Sequence, residues 1–353
     1  MKHFEPDFEN VVNAARNIEP ARLPLYEHII DVSHMEKILG RPFGALADGD
    51  EADRLEFFRN YCEFFRKMGY DTAIYEGNIT ATLPRGGALY KHNIGAVKNR
   101  EEFDDYPWDE LPDIYCAQYF PQFAALRDAL PQGMKAVGGV GNGVFETVQD
   151  LTGYETLCYI RADDSELYAE LFRKVSDVAA VIWSRFLAEF GDAFCVCRFG
   201  DDLGFRTAPL LPPDDIRTHV IPAHKRIIDL VHGAGKPFLL HSCGSIFPVM
   251  EDLIAAGIDA KHSNEDQIAP FPEWVERYGD RIGNFGGIDT DMVISLDRKE
   301  LKEYILEVIS KCIGHGGFAF GSGNSIPDYV PTEKYLDMVE IVREWREENQ
   351  GAL

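Results

Sequence analysis

No stretch of this 353-residue chain approaches the ~20 consecutive apolar residues that a bilayer-spanning helix needs. Basic residues are scarce as well: 35 Lys and Arg stand against 59 Asp and Glu, a formal net charge of −24. Nucleic acid requires clustered cations, and anionic lipid requires the same, so both are excluded as partners. There is no Cys-x-x-Cys pair, which removes a structural zinc ribbon. The 7 cysteines are odd in number and scattered, which removes a disulfide framework and points to a reduced compartment. Met1–Asn10 holds no apolar core followed by a small-residue cleavage site, so no secretion leader is expected and the chain is read as cytoplasmic. No Gly-x-Gly-x-x-Gly follows an early strand, and no repeat or low-complexity tract is evident.

What the chain does have is 45% apolar residues and a recurring phrase. From about residue 165 a helical run ends at glycine, and an apolar strand begins a few residues later. Ser165–Phe190 precedes Phe194–Phe199, Ile216–His232 precedes Pro237–Leu240, and Val249–Ala256 precedes Ile258–Ala260. Trp274–Tyr278 precedes Arg281–Phe285, and Leu301–Ile313 precedes Gly317–Phe320. Glycine suits the left-handed position after a helix, and strands alternating with helices imply parallel βαβ units. Leu23–Tyr26, Asp71–Tyr75 and Met134–Val137 are weaker candidates in the first half, the second preceded by a helix with Leu55, Phe58, Cys62 and Phe65 on one face. The total predicts a (β/α)8 TIM barrel occupying residues 1–353 as one domain. Residues 100–131, aromatic, acidic and proline-punctuated, are expected to form an excursion with a short helix over one barrel mouth. Gly138–Gly143 reads as a tight βα turn, because no phosphate-loop Lys-Ser/Thr follows it.

In such barrels the residues after the strands converge on one mouth. Glu76, the pair Asp201 and Asp202, His241 and Cys243, His262 and Glu265, Asp289 and Asn324 all follow predicted strands, and Asn142 lies in the glycine-rich turn. His241 and Cys243 are two residues apart, so an extended backbone points both the same way. Imidazole and thiolate together form half of a zinc site, and zinc would deprotonate the thiol; a strand end with a capping His and a gap-filling Cys is the plainer alternative. Asp201 and Asp202 suit a cation or a general base, since burial of adjacent carboxylates raises at least one pKa, or simple loop capping. Cys195 and Cys197 share a parity within a strand and read as core. His315, between glycines, reads as a turn residue; Lys91-His92 and His28 lack the context to assign them, while Glu27 ends the first apparent strand.

These residues in this order resemble the uroporphyrinogen decarboxylase superfamily. The resemblance runs through Gly200-Asp-Asp-Leu-Gly204, Gly235-Lys-Pro-Phe-Leu-Leu-His-Ser-Cys-Gly-Ser-Ile246, Ala256-Gly-Ile-Asp259, Tyr278-Gly-Asp-Arg281, Gly286-Gly-Ile-Asp289 and Gly321-Ser-Gly-Asn-Ser-Ile-Pro327. The superfamily implies a (β/α)8 barrel and two chemistries. Its decarboxylases carry an arginine-rich segment at the first strand, where this chain has Arg22-Leu-Pro-Leu-Tyr-Glu-His-Ile29, and a late Gly-His-Gly, where it has Gly323-Asn324-Ser325. A substrate with eight carboxylates needs planar cationic partners, so that reaction is disfavoured, although Glu76 falls near the decarboxylases' catalytic aspartate. The resemblance is nearest to the cobamide-dependent methyltransferases, whose zinc site uses His-x-Cys. It implies a zinc-dependent enzyme moving a methyl group between a small methoxy, methylamine or thiol compound and a corrinoid carrier protein. The implied zinc ligands are His241 and Cys243, completed by Glu265, Asp202 or Glu76; Glu76, Asp202 and Asp201 would be catalytic where they do not ligate, and Asn324, Asp289, His262 and Asn142 would bind substrate. Thiol-methylating members add a late cysteine, whereas no cysteine here lies beyond Cys312, which leaves an oxygen-rich site. The sequence does not identify the oligomeric state and leaves a homodimer open. The alternatives are a tetrapyrrole decarboxylase and a degenerate barrel that binds a corrinoid without turnover.

Overall fold

The computed structural model describes residues 4–89 and 94–349, so Lys91 and His92 lie outside the described residues. Seven parallel strands form one sheet in sequence order: β1 Thr72–Asn78, β2 Lys135–Gly141, β3 Phe194–Gly200, β4 Phe238–His241, β5 Ala260–His262, β6 Gly283–Ile288 and β7 Phe318–Ser322. All residues of β3 to β7 are buried, as expected of a parallel sheet covered on both faces. Helices separate each consecutive pair, which is how parallel neighbours must be joined.

The sheet is curled. Arg198 on β3 reaches Glu76 on β1 at 2.6 Å, and also Tyr26 Oη and the His28 carbonyl, both at 2.8 Å. Tyr26 lies beside β7, where its amide donates to the Phe320 carbonyl at 2.8 Å. The expected first strand is thus present only as isolated parallel bridges, Leu25 to Phe320 and Ile30 to Ile326. Two features stop it becoming a ladder. Pro24 has no N–H to give, and the Glu27 side chain takes the Ser322 amide at 3.1 Å in place of a backbone carbonyl. Among the described residues no ladder joins this segment to β1.

The helix Ser165–Phe190 has the predicted bounds, started by the Asp164 carboxylate accepting from the Leu167 amide at 2.9 Å. The strand expected at Ile258–Ala260 begins later, at Ala260, because Gly257 is left-handed at φ 105° and the Asp259 side chain is turned back onto the Phe238 amide. Residues 100–131 correct a third expectation. They contain a short helix, Arg100–Asp104, but then the 19-residue helix Leu111–Ala129, which packs on the helices Glu51–Met68 and Ser165–Phe190 as the crossover between β1 and β2. The aromatic character read as a cover is what buries it: Phe123 meets Phe186 at 5.0 Å, Phe190 at 5.6 Å and Phe194 at 5.7 Å between ring centroids. Among the described residues no helix is long and apolar enough to cross a membrane.

Candidate functional site

Strand register brings the chemistry together. Gly200 on β3 pairs with His241 on β4, and His241 with His262 on β5, so three neighbouring strands end level. Beyond that line a cavity of about 390 Å³ opens, with His241, Cys243 and Asp202 on its wall. Cys243 Sγ stands 3.4 Å from His241 Nε2, and His241 Nε2 stands 3.6 Å from Asp202 Oδ1. The same Asp202 oxygen accepts the Cys243 amide at 2.9 Å, tying the loop after β3 to the loop after β4. Only glycine permits that approach, because a Cβ on Gly244 would lie 2.2 Å from the Gly204 carbonyl carbon.

A relay of hydrogen bonds sets which nitrogen of His241 faces the cavity. The Ser322 carbonyl can only accept, so His262 Nε2, 3.1 Å away, carries a proton. Burial holds His262 neutral, its pKa lowered to about 3. Its Nδ1 is therefore a lone pair, and it accepts from His241 Nδ1–H at 2.7 Å. Burial and the neighbouring His262 also keep His241 uncharged, so the His241 Nε2 lone pair is aimed at Cys243 and Asp202. A buried acceptor behind a ligating imidazole fixes its tautomer and orientation in this way. Burial, with Asp202 next, pushes the Cys243 thiol well up; a cation beside it would reverse that.

Asp202, His241 and Cys243 have the spacing of a metal centre. Zinc takes nitrogen or oxygen at about 2.0–2.2 Å and sulfur at about 2.3 Å, so neighbouring tetrahedral ligands sit about 3.3–3.8 Å apart. The observed 3.4 and 3.6 Å fall in that interval. Were zinc held there, three protein ligands with one face on a cavity would match the pattern of a catalytic rather than a structural site. A second cluster, His28 with His241 and His262, is as compact but does not suit a metal. The His28 and His241 rings are stacked 3.7 Å apart and 9° from parallel. A metal lies in the plane of each imidazole it binds, and parallel planes do not meet.

The other expected site residues take varied places. Asp201 is fully buried and accepts from the Phe145 and Glu146 amides at 3.1 and 2.8 Å and from His224 Nε2 at 2.6 Å, so it anchors the start of the helix Val144–Thr152 and does not reach the cavity. Asn142 lines the cavity at φ 62°, accepting from Thr80 Oγ1 at 2.8 Å and donating to Glu146 Oε2 at 2.8 Å. Glu76 lines it too, held by Arg198. Asn324 Nδ2 lies 3.3 Å from Cys243 Sγ. His262 sits behind His241 and does not line the cavity. Glu265 is outside the group formed by His241 and Cys243; it faces Arg206 in a second cavity of about 240 Å³, which shares Asn324 and Ser325 with the first. Asp289 lines that second cavity, with both oxygens accepting amides, those of Asp291 at 2.8 Å and Asp266 at 2.7 Å.

Four participants were not singled out from the sequence. Glu146 lines the cavity and accepts the Asp202 amide at 3.3 Å; burial, then Asp202 and Asp201, raises its carboxyl. Its only signal was its place four residues after Asn142, to which it is hydrogen-bonded across the start of the helix. Arg198 sits inside a strand read as core. His28 stacks on His241. Lys261 is buried with Nζ 3.7 Å over the Trp274 ring, and burial lowers its pKa to about 7.

The sequence profile described as uroporphyrinogen decarboxylase (URO-D) matches residues 63–345. No curated protein matches the chain. Among solved structures, a methyltransferase from Methanosarcina mazei superposes with a TM-score of 0.72 at 13% identity, covering 97% of this chain and 99% of that one. A D-allulose 3-epimerase from Methylomonas sp. gives 0.39 at 12% identity over 92% and 99%.

Proposed function

The chain belongs to the uroporphyrinogen decarboxylase family, and we propose that within it this protein is a zinc-dependent methyltransferase, moving a methyl group between a small methylated substrate and a corrinoid carrier protein. The observation that carries the reading is the meeting of Cys243, His241 and Asp202 at one cavity wall at ligand spacing. The Methanosarcina mazei methyltransferase, whose fold this chain shares, adds support. Arg198 is fully buried and committed to Glu76, Tyr26 and the His28 carbonyl, and no Arg or Lys among the described residues lines the cavity. That wall does not suit an eight-carboxylate tetrapyrrole. The bridges at Leu25 and Ile30 and the Arg198 contacts across the interior support an eighth stave, completing a (β/α)8 barrel.

His241, Cys243 and Asp202 would hold the zinc, with Glu265 in reserve at the adjoining cavity. When bound, zinc supplies Lewis acidity toward the substrate heteroatom. The rest falls to the chain. Asn324 Nδ2 donates toward the Cys243 sulfur. Asn142 and Glu146 brace the Asp202 loop. The cavity walls hold substrate in line for displacement, a positioning effect. Purified protein is expected to contain one zinc per chain, lost in His241→Ala, and to form methylcobalamin from a methylated donor. Metal-free protein that decarboxylates uroporphyrinogen would overturn this in favour of tetrapyrrole chemistry. Tight carrier binding with no methylcobalamin formed would mark a barrel without turnover.

A further inference from the structure

The orphaned nitrogen of His28 narrows the substrate. His28 is 7% exposed and lines the reaction cavity. Its backbone is fixed from one side by Arg198 donating to its carbonyl at 2.8 Å, and its ring is fixed by the stack on His241. Its Nδ1 is buried with no hydrogen-bond partner. A buried N–H without an acceptor is among the rarest arrangements in proteins, whereas a lone pair without a donor is tolerated more often. The proton therefore sits on Nε2. That nitrogen lies on the side of Gly200, where a Cβ would be 3.9 Å from it, and Gly200 is itself part of the cavity wall.

We infer that His28 Nε2–H donates a hydrogen bond to the leaving heteroatom of the substrate, and that this atom is an ether oxygen, making the substrate class a methoxy compound. The inference rests on the methyl-transfer reading. A methyl ether offers a lone pair to a donor before the reaction, which a protonated or quaternary amine does not, and oxygen accepts an N–H far better than a thioether sulfur does. On transfer the C–O bond breaks and both its electrons stay with oxygen, while the corrinoid partner's nucleophile supplies the pair for the new bond to carbon. Negative charge thus grows on the atom that faces Nε2–H, and a fixed donor aimed at developing charge lowers the barrier. The position of His28 also explains why its ring is stacked beside His241 and not coordinated: metal ligand and donor address the same small volume from adjacent planes.

The test uses zinc-loaded protein with 4-nitrophenol as the product analogue and two replacements. His28→Phe keeps the stack and removes the donor; His28→Gln keeps a donor on a side chain of similar reach. Expected is unchanged zinc content in both, with 4-nitrophenol binding weakened about ten-fold or more in His28→Phe, the scale of a lost hydrogen bond to a charged group, and partly restored in His28→Gln. With methoxyarenes of graded leaving-group basicity, kcat/KM should fall more steeply with basicity in His28→Phe than in the parent. Loss of zinc in His28→Phe would make His28 a ligand, and equal 4-nitrophenol binding in all three proteins would make it structural; either overturns the inference. Absence of methyl transfer in the parent sinks the wider reading, while the binding comparison still decides the role of His28.

Discussion

His241 points a lone pair at Cys243 only because two residues behind it leave no other arrangement: the Ser322 carbonyl dictates the His262 tautomer, and His262 dictates that of His241. Replacing His262 by Phe keeps the volume and removes the acceptor. Zinc affinity, read by competition with a chromogenic chelator, is expected to fall about 10- to 100-fold while the fold, followed by circular dichroism, persists. At this scale the sequence was informative about donors and silent about their supports. His241, Cys243, Asp202 and Asn324 announce themselves by type and by position after a strand. The role of His262 does not, because acting behind a ligand and acting on substrate call for the same residue at the same strand end. Glu265 shows a related limit: acids that follow adjacent strands look equivalent until the cavity divides at Asn324 and Ser325.

The elements were easier to read, since helix periodicity and terminal glycines are local signals, and β3, β4, β6 and β7 lie within a few residues of their expected places. What failed was long-range. The helix Leu111–Ala129 carries Pro121 and weak amphipathic order, so nothing local says that it joins the outer layer. The Leu23–Tyr26 strand is interrupted by a partner almost three hundred residues away. A prediction at this level concerns Gly143, at the entry of the helix Val144–Thr152. A Cβ there would lie 2.2 Å from both Cβ and Cγ of Asp201, and the Gly143 amide is bonded to the Gly200 carbonyl at 2.5 Å. Gly143→Ala should cost about 1–3 kcal/mol of stability by overpacking. It should also displace Glu146 and Asp202 together, so that urea denaturation and zinc titration shift in the same variant.

For the whole molecule, one buried acid sets a pH dependence. Glu27 is fully buried between the N-terminal segment and β7, and burial pushes its carboxyl up to about 8 from an ordinary 4.5. Its folded pKa is raised, so its contribution to stability is complete below about 4.5 and drains away as pH climbs toward 8. Thermal midpoints of the parent should therefore decline across that interval. Glu27→Gln should flatten the decline, and a variant that keeps the parent slope would show that another group controls it.

The Glu27 contact also has a temporal meaning. Ser322 lies 295 positions further along the chain, and the wall bearing His28 is tied to Phe320, Ile326 and Arg198. A ribosome must release the chain through Ser322 before the chamber has its last side. Until then the three prospective ligands stand in an open trough, so fragments ending before residue 318 should be inert, and assembly should be slow, as far-separated contacts demand.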